Sequence, residues 1–180
     1  MSKSIAGTSL APCAGELDDR VAVRRSTIGR GLFAVRSFHA REPIMRIGGR
    51  IVDADVLWKV GGRFAANCLR FGPETYLDPG SGAGRYVNHS CDPNAGIAKF
   101  RNRLILLAAR RIRPGEEITL DYSTTIGDDD IWTMRCRCGG PSCRRTIANF
   151  GSLPPARQRR YMTAGLVPAF IVRTLVRVVI

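Results

Sequence analysis

The sequence predicts a mainly β fold, with short strands along most of its length, short helices and a C-terminal helix. Short apolar runs recur between glycines and prolines, at strand length rather than helix length. No internal repeat or low-complexity stretch interrupts them beyond a polar N-terminus. The best helix-start signal, Leu153-Pro154-Pro155, stands late in the chain.

Taken in order, residues 1–19 read as a loose arm. They lack the apolar core of a secretory leader. Strand-like runs follow at 21–24, 32–35 and 44–47. The segment 53–69 is the one plausible internal helix, interrupted by Gly61-Gly62. Further strands are expected at 75–77, 95–100 and 104–109. Arg101-Asn102 serves as a hairpin turn that lacks the usual glycine. Arg113-Pro114-Gly115 is a second turn signal and leads into a run at 118–122. A helix is expected from Pro155 through about Met162. The apolar tail behind it is short and carries Arg173 and Arg177, so it reads as an amphipathic helix laid on the body rather than a membrane span. A role at a membrane surface stays open.

At 180 residues and 44% apolar composition, the chain suits one hydrophobic core. Its charge is unusual, with 28 basic against 15 acidic side chains, a formal +13. All the basic residues except Lys3, Lys59 and Lys99 are arginine, and from Ile131 onward there are nine arginines and no acid. Codon composition explains such a bias. So does an electropositive face that meets nucleic acid, a nucleoprotein or an acidic partner. A field of this sign repels a basic substrate unless local acids screen it, which Glu116, Glu117, Asp121 and the run Asp128-Asp129-Asp130 would do.

Six cysteines in an apparently intracellular chain favour metal or reduced thiols over disulfides. Cys136, Cys138 and Cys143 form a C-x-C-x4-C group, tight enough for three thiolates to meet one ion. A structural zinc site needs a fourth ligand. Cys13 and Cys68 read as ordinary thiols.

Three segments carry candidate chemistry. Gly29-Arg30-Gly31-Leu32-Phe33-Ala34 reads by itself as a tight turn, and no GxGxxG opens a helix to suggest a Rossmann site. The segment Arg85-Tyr86-Val87-Asn88-His89-Ser90-Cys91-Asp92-Pro93-Asn94 packs amide, imidazole, hydroxyl, thiol and carboxylate groups side by side. Burying such a cluster is costly unless its members are partnered. Gly115-Glu116-Glu117-Ile118-Thr119-Leu120-Asp121-Tyr122 runs from a turn into a strand that ends on a tyrosine hydroxyl.

In this order and spacing the three segments resemble the SET-domain family, over about residues 20–150. The pair NHSCDPN and GEEITLDY carries the resemblance. The resemblance implies a SET fold of short curved β-sheets with a pseudoknot, a threading rare among folds. It implies a protein-lysine N-methyltransferase that uses S-adenosylmethionine and a structural zinc. By the same resemblance, backbone at Arg30, Gly31 and Leu32 contacts the methionine part of the cofactor. Asn88 and His89 hold its amino group and adenine, and Tyr86 lines that pocket. Tyr122 is the catalytic residue, Cys91 joins Cys136, Cys138 and Cys143 on zinc, and Trp132 and Ile147 cover the adenine. Many members place Phe or Tyr two residues before the catalytic tyrosine. This chain has Leu120, which leaves space and favours di- or trimethylation.

The implied organisation is an arm (1–19), a SET domain (20–123), a post-SET zinc-binding segment (124–150) and a C-terminal helical tail (151–180). The expected partner is a protein substrate with a lysine, with a histone or histone-like protein as the family-based candidate, although no long cysteine-rich segment precedes residue 20 as in some histone-directed members. Contact of the arginine-rich surface with nucleic acid stays open. The expected location is intracellular and cytoplasmic, with nuclear or effector-type delivery left open. Two other readings compete: a SET-like binding module without turnover, and a zinc-bearing basic protein associated with nucleic acid. No recognised nucleic-acid module supports the second.

Overall fold

The computed structural model describes residues 19–178, so the expected arm and Cys13 lie outside the described residues, apart from Asp19. The chain opens with a hairpin of β1 (Val21–Ser26) and β2 (Gly29–Ala34), in register from Val21 opposite Ala34 to Ser26 opposite Gly29. After β3 (Pro43–Ile47) and β4 (Arg50–Asp53) come two short helices, α1 (Ala54–Val60) and α2 (Gly62–Asn67). Gly61 separates them with φ 57°, so the interruption expected at the glycine pair is present.

Next come β5 (Leu69–Arg70), β6 (Thr75–Asp78), a 3-10 turn at Ala83–Tyr86 and β7 (Asn88–His89). The hairpin of β8 (Ala95–Phe100) and β9 (Arg103–Ala108) follows, then β10 (Glu117–Leu120). Arg101 occupies the β8–β9 turn with φ 50°, the conformation for which glycine is normally chosen. The ribbon of β11 (Met134–Arg135) and β12 (Thr146–Ile147) leads to α3 (Pro155–Ala164) and α4 (Ala169–Val172).

The main sheet runs β1-β2-β10-β8-β9-β3, with β7 also paired to β10. A second sheet orders β4-β6-β5. The pairing around β10 builds the site. It runs antiparallel to β2 at Glu117 and Ile118, then parallel to β7 at Thr119 and Leu120. Because Leu120 also pairs with Ala95 of β8, β7 must continue the edge that β2 leaves. Asn88 and His89 thus fall in line with Gly31 and Leu32.

The core lies between the sheets. Leu32, Phe38, Ile44, Ile97, Leu104, Leu106, Ile112 and Ile118 have no solvent exposure. Along β9, Leu104, Leu106 and Ala108 point inward at period two. The other face of β9 is covered by the C-terminal segment: Leu107 and Ala109 pack with Phe150, Leu153, Tyr161, Leu166, Phe170 and Ile171.

Two sequence expectations need correcting. The run at 118–122 is shorter as a strand, because the Asp121 carboxylate accepts from the Ser123 amide and turns the chain into a 3-10 turn at Tyr122–Thr125. The apolar tail does lie on the body, but as the four-residue α4 and a 3-10 stretch at Arg173–Val178 rather than one amphipathic helix. Its β-branched Ile171, Val172, Thr174 and Val176 are weak helix formers, and the fixed Pro168 precedes α4.

Candidate active site

On the β2–β7 edge, the Asn88 amide donates to the Arg30 carbonyl at 3.0 Å and to Glu117 Oε1 at 2.7 Å. Ser26 Oγ donates to the other Glu117 oxygen at 2.9 Å. Gly31 sits against this carboxylate so closely that an added Cβ would collide with it. The result is a cradle of backbone, amide and carboxylate with Leu32 buried behind it. Tyr86 lies at its rim, with the Arg30 guanidinium over its ring at 4.5 Å. Arg30, Gly31, Leu32, Tyr86 and Asn88 are therefore brought together. Glu117 is the member that sequence reading did not assign, although it stands in the GEEITLDY segment.

Tyr122 sits where β10 turns. Its hydroxyl donates to the Val87 carbonyl at 2.9 Å, and its amide donates to His89 Nδ1 at 3.2 Å. Burial, with the Glu117 carboxylate adding to it, pushes the Tyr122 hydroxyl up to about 12, so it stays protonated at neutral pH. Burial pushes His89 down to about 4, and its ring is neutral. Since Nδ1 accepts a hydrogen bond from the Tyr122 amide, Nε2 carries the ring hydrogen and faces Cys91 Sγ at 3.3 Å. Both ring nitrogens are taken by the protein, which leaves only the backbone of His89 for a ligand.

Donor atoms of His89, Cys91, Cys136 and Cys138 lie within 4.8 Å of one another, and Cys143 Sγ is within reach of Cys136 and Cys138. The tautomer argument removes His89 as a ligand and leaves Cys91, Cys136 and Cys138 as a close thiol group, with Cys143 beside the last two. A tetrahedral zinc with Zn–S near ~2.3 Å sets its sulfurs about 3.8 Å apart. Cys91 and Cys136 are 3.7 Å apart. The Arg144 amide donates to Cys91 Sγ at 3.3 Å and the Cys138 amide to Cys136 Sγ at 3.5 Å. These amides stabilise thiolate charge. The donor set fits zinc.

Asp121, fully buried, joins this thiol cluster to the tail. Arg144 grips it at 2.8 and 2.7 Å, and Tyr161 of α3 donates to it at 3.0 Å. Nothing in the sequence marks Arg144 or Tyr161 as partners of the residue beside Tyr122, because the pairs lie 23 and 40 residues apart.

A cleft opens over Tyr122, walled by Leu57, Trp58, Tyr76, Leu120, Ile126 and Trp132. Trp132 also packs on the thiol cluster, in which Ile147 is fully buried. The acids expected to screen the site are mostly spent elsewhere. Glu116 pairs with Arg110, Asp129 with Arg70 and Asp121 with Arg144, while Asp128 accepts from the Gly151 amide. Two acids are exceptions: Glu117 stays in the cradle on the neutral Asn88 and Ser26, and Asp130 lines the cleft, where burial raises its carboxyl above the usual range.

The sequence matches the SET domain over residues 29–123, more than half of the chain. The chain belongs to the SET-domain family. Arg30, Gly31, Leu32, Tyr86, Asn88, His89, Cys91 and Tyr122 all lie in the matched SET segment, and Cys136, Cys138 and Cys143 follow it. Human histone-lysine N-methyltransferase 2B is 34% identical over 142 residues, covering 72% of this chain and 5% of that protein. The H3 lysine-4 specific histone-lysine N-methyltransferase of Saccharomyces cerevisiae is 33% identical over 126 residues, 63% of this chain and 12% of the yeast protein. Histone-lysine N-methyltransferase set1 of Dictyostelium discoideum is 32% identical over 142 residues, 71% of this chain and 9% of that protein. The chain thus spans between 5% and 12% of these relatives' lengths. Among the described residues, no helix of this SET protein is long and apolar enough to cross a membrane.

Proposed function

We propose that the chain is a protein-lysine N-methyltransferase that uses S-adenosylmethionine. The single observation that carries this is the Tyr122 hydroxyl, fixed on the Val87 carbonyl between the Gly31–Asn88 cradle and an apolar cleft. The cofactor supplies a methyl group on a positively charged sulfur. Glu117, Asn88 and the Arg30 carbonyl offer negative charge and acceptors at the cradle, which suits the cationic amino end of that cofactor. Backbone at Gly31, Leu32 and His89 completes the contact, with Tyr86 at the rim.

The target amine has an ordinary pKa near about 10.4 and must be neutral to accept a methyl group. The apolar walls at Leu57, Leu120 and Ile126 disfavour its charged form. Tyr122 has committed its proton to Val87, so its oxygen presents lone pairs that accept an amine N–H and orient the nitrogen. Catalysis on this reading is mostly positioning. Leu120 brings no hydroxyl to hold a water there and leaves room for di- or trimethylation.

The relatives named as histone-lysine N-methyltransferases support a histone or histone-like protein as substrate. Cys91, Cys136, Cys138 and Cys143 hold a structural zinc on this reading. Residues 20–123 act as the catalytic domain, 124–150 as the zinc segment and 151–180 as a tail that braces both.

The test is incubation of the full chain with methyl-labelled S-adenosylmethionine and histones, other basic proteins or lysate of the source cells, with Tyr122→Phe alongside. Label on lysine that is lost in Tyr122→Phe is the expected result. A protein that holds zinc but neither binds the cofactor nor labels any lane overturns the proposal.

A further inference from the structure

The cleft contains a carboxylate that methyl transfer to a neutral amine does not use. Asp130 carries the only carboxylate among the residues lining it, and the residue is 9% exposed. Its neighbours leave it acceptor capacity: the Tyr76 hydroxyl reaches one oxygen at 3.3 Å and the Trp132 amide the other at 3.4 Å. Both bonds are at the long end, and a carboxylate accepts about four. The nearest cation, Arg70, is committed to both oxygens of Asp129 and to the carbonyls of Gly72 and Pro73. Arg85, the other cation of the lining, donates to the Gly80 carbonyl.

Aromatic rings surround this acid. Trp58 and Tyr76 meet edge to face with centroids 6.1 Å apart, and Trp132 lines the same cleft. Trp58 is 49% exposed, so part of its ring is open to a stacking partner. A carboxylate among aromatic rings selects a cation on a long alkyl stem.

We propose that Asp130, with Trp58, Tyr76 and Trp132, forms a subsite for the cationic head of a second basic side chain of the substrate, an arginine or lysine close to the lysine that is methylated. The inference rests on the proposed lysine methyltransferase reading and names the class of substrate sequence. The cation is not the target amine. A carboxylate there would hold the amine charged, against the chemistry. Tyr122 and Asp130 also have different charged neighbours: the Glu117 carboxylate acts on Tyr122, whereas Arg70 and Asp129 act on Asp130. In a chain of net charge +13 this acid gives a basic substrate a local reason to enter.

Both tryptophans of the chain line the cleft, so intrinsic fluorescence reads this region alone. The full chain is titrated with blocked alanine-based peptides carrying one lysine and, two residues to either side, arginine or its neutral isostere citrulline. The arginine peptide should bind about tenfold tighter than the citrulline peptide, the scale of one charge-assisted hydrogen bond. Asp130→Asn should abolish that preference without changing affinity for the citrulline peptide. Trp58→Leu, at the exposed rim, should reduce the preference even if Asp130→Asn fails to fold. Equal binding of both peptides by the native chain, or a full preference kept in either variant, overturns the subsite. The same peptides with labelled cofactor separate the two ideas. Absence of label with a retained arginine preference counts against the transferase alone, and label without preference counts against the subsite alone.

Discussion

At Tyr122, desolvation and the hydrogen bond to Val87 act in the same direction, and both keep the proton on the oxygen. A folded-state pKa above the ordinary tyrosine value means that the neutral form stabilises the native state below about pH 10, and that this contribution is lost as pH rises toward about 12. The transfer rate should therefore climb with pH as more amine is neutral, without a descending limb from this tyrosine below about pH 10. A limb near pH 10 that vanishes in Tyr122→Phe would contradict the assignment. In Tyr122→Phe itself, kcat should fall by roughly 10²-fold while cofactor affinity changes little, since the loss is one of orientation. Single-turnover rates and cofactor titration check the two halves. Asp121→Asn tests the residue beside it. Removing one partner of a buried ion pair leaves Arg144 uncompensated, so stability should drop by about 3 kcal/mol, read from denaturant midpoints.

At the scale of elements, the two-residue β8–β9 turn stores a correctable strain. Arg101→Gly relieves the left-handed backbone and should raise stability by up to about 1 kcal/mol, whereas Arg101→Val should lower it; thermal melts of both variants decide. This turn was legible in the sequence because strand-like runs flank it. The longer strands were legible for the same reason: β8 and β9 are apolar-rich runs of six residues, and of the two β9 carries period-two burial. Strands such as β7 and β11, two residues each, carry no periodicity at all. They exist because a neighbour offers an edge, and the sequence of the strand itself holds no trace of that. The tail failed as a helix prediction for a related reason. Its apolar spacing suits burial on β9, but its branched side chains and Pro168 decide the local backbone.

For the molecule as a whole, the thiol cluster divides stability into two parts. The main core, from Val21 to Leu120, contains none of the four cysteines, and Tyr122 packs against both it and the thiol cluster. Chelation at neutral pH should therefore abolish methyl transfer and make Cys91, Cys136, Cys138 and Cys143 reactive to a thiol reagent, while the strand signal in circular dichroism survives. Loss of that signal together with the metal would show that the core depends on it. The cysteines at 136–143 were legible as a group from their spacing, and the polar segments at 85–94 and 115–122 as one site through the family resemblance. Asp130 was legible only as one of a run of screening acids, and its grouping with Trp58 and Tyr76 was not, since what unites them is a cleft between α1, β6 and the chain after Asp121.

The strand order around β10 has a consequence for how the protein is made. β10 is inserted between β2 and β8, both of which precede it in the chain. During synthesis at about 5–20 residues per second, the earlier strands emerge with an open slot and exposed backbone groups at its two sides. The nascent chain cannot assemble its cradle until β10 fills that slot, and cannot brace it until Arg144 and Tyr161 have also left the ribosome. Folding dominated by such distant pairings is slow and prone to aggregation. Yield from cells should therefore improve with slower translation or added chaperone more than with any change at the surface.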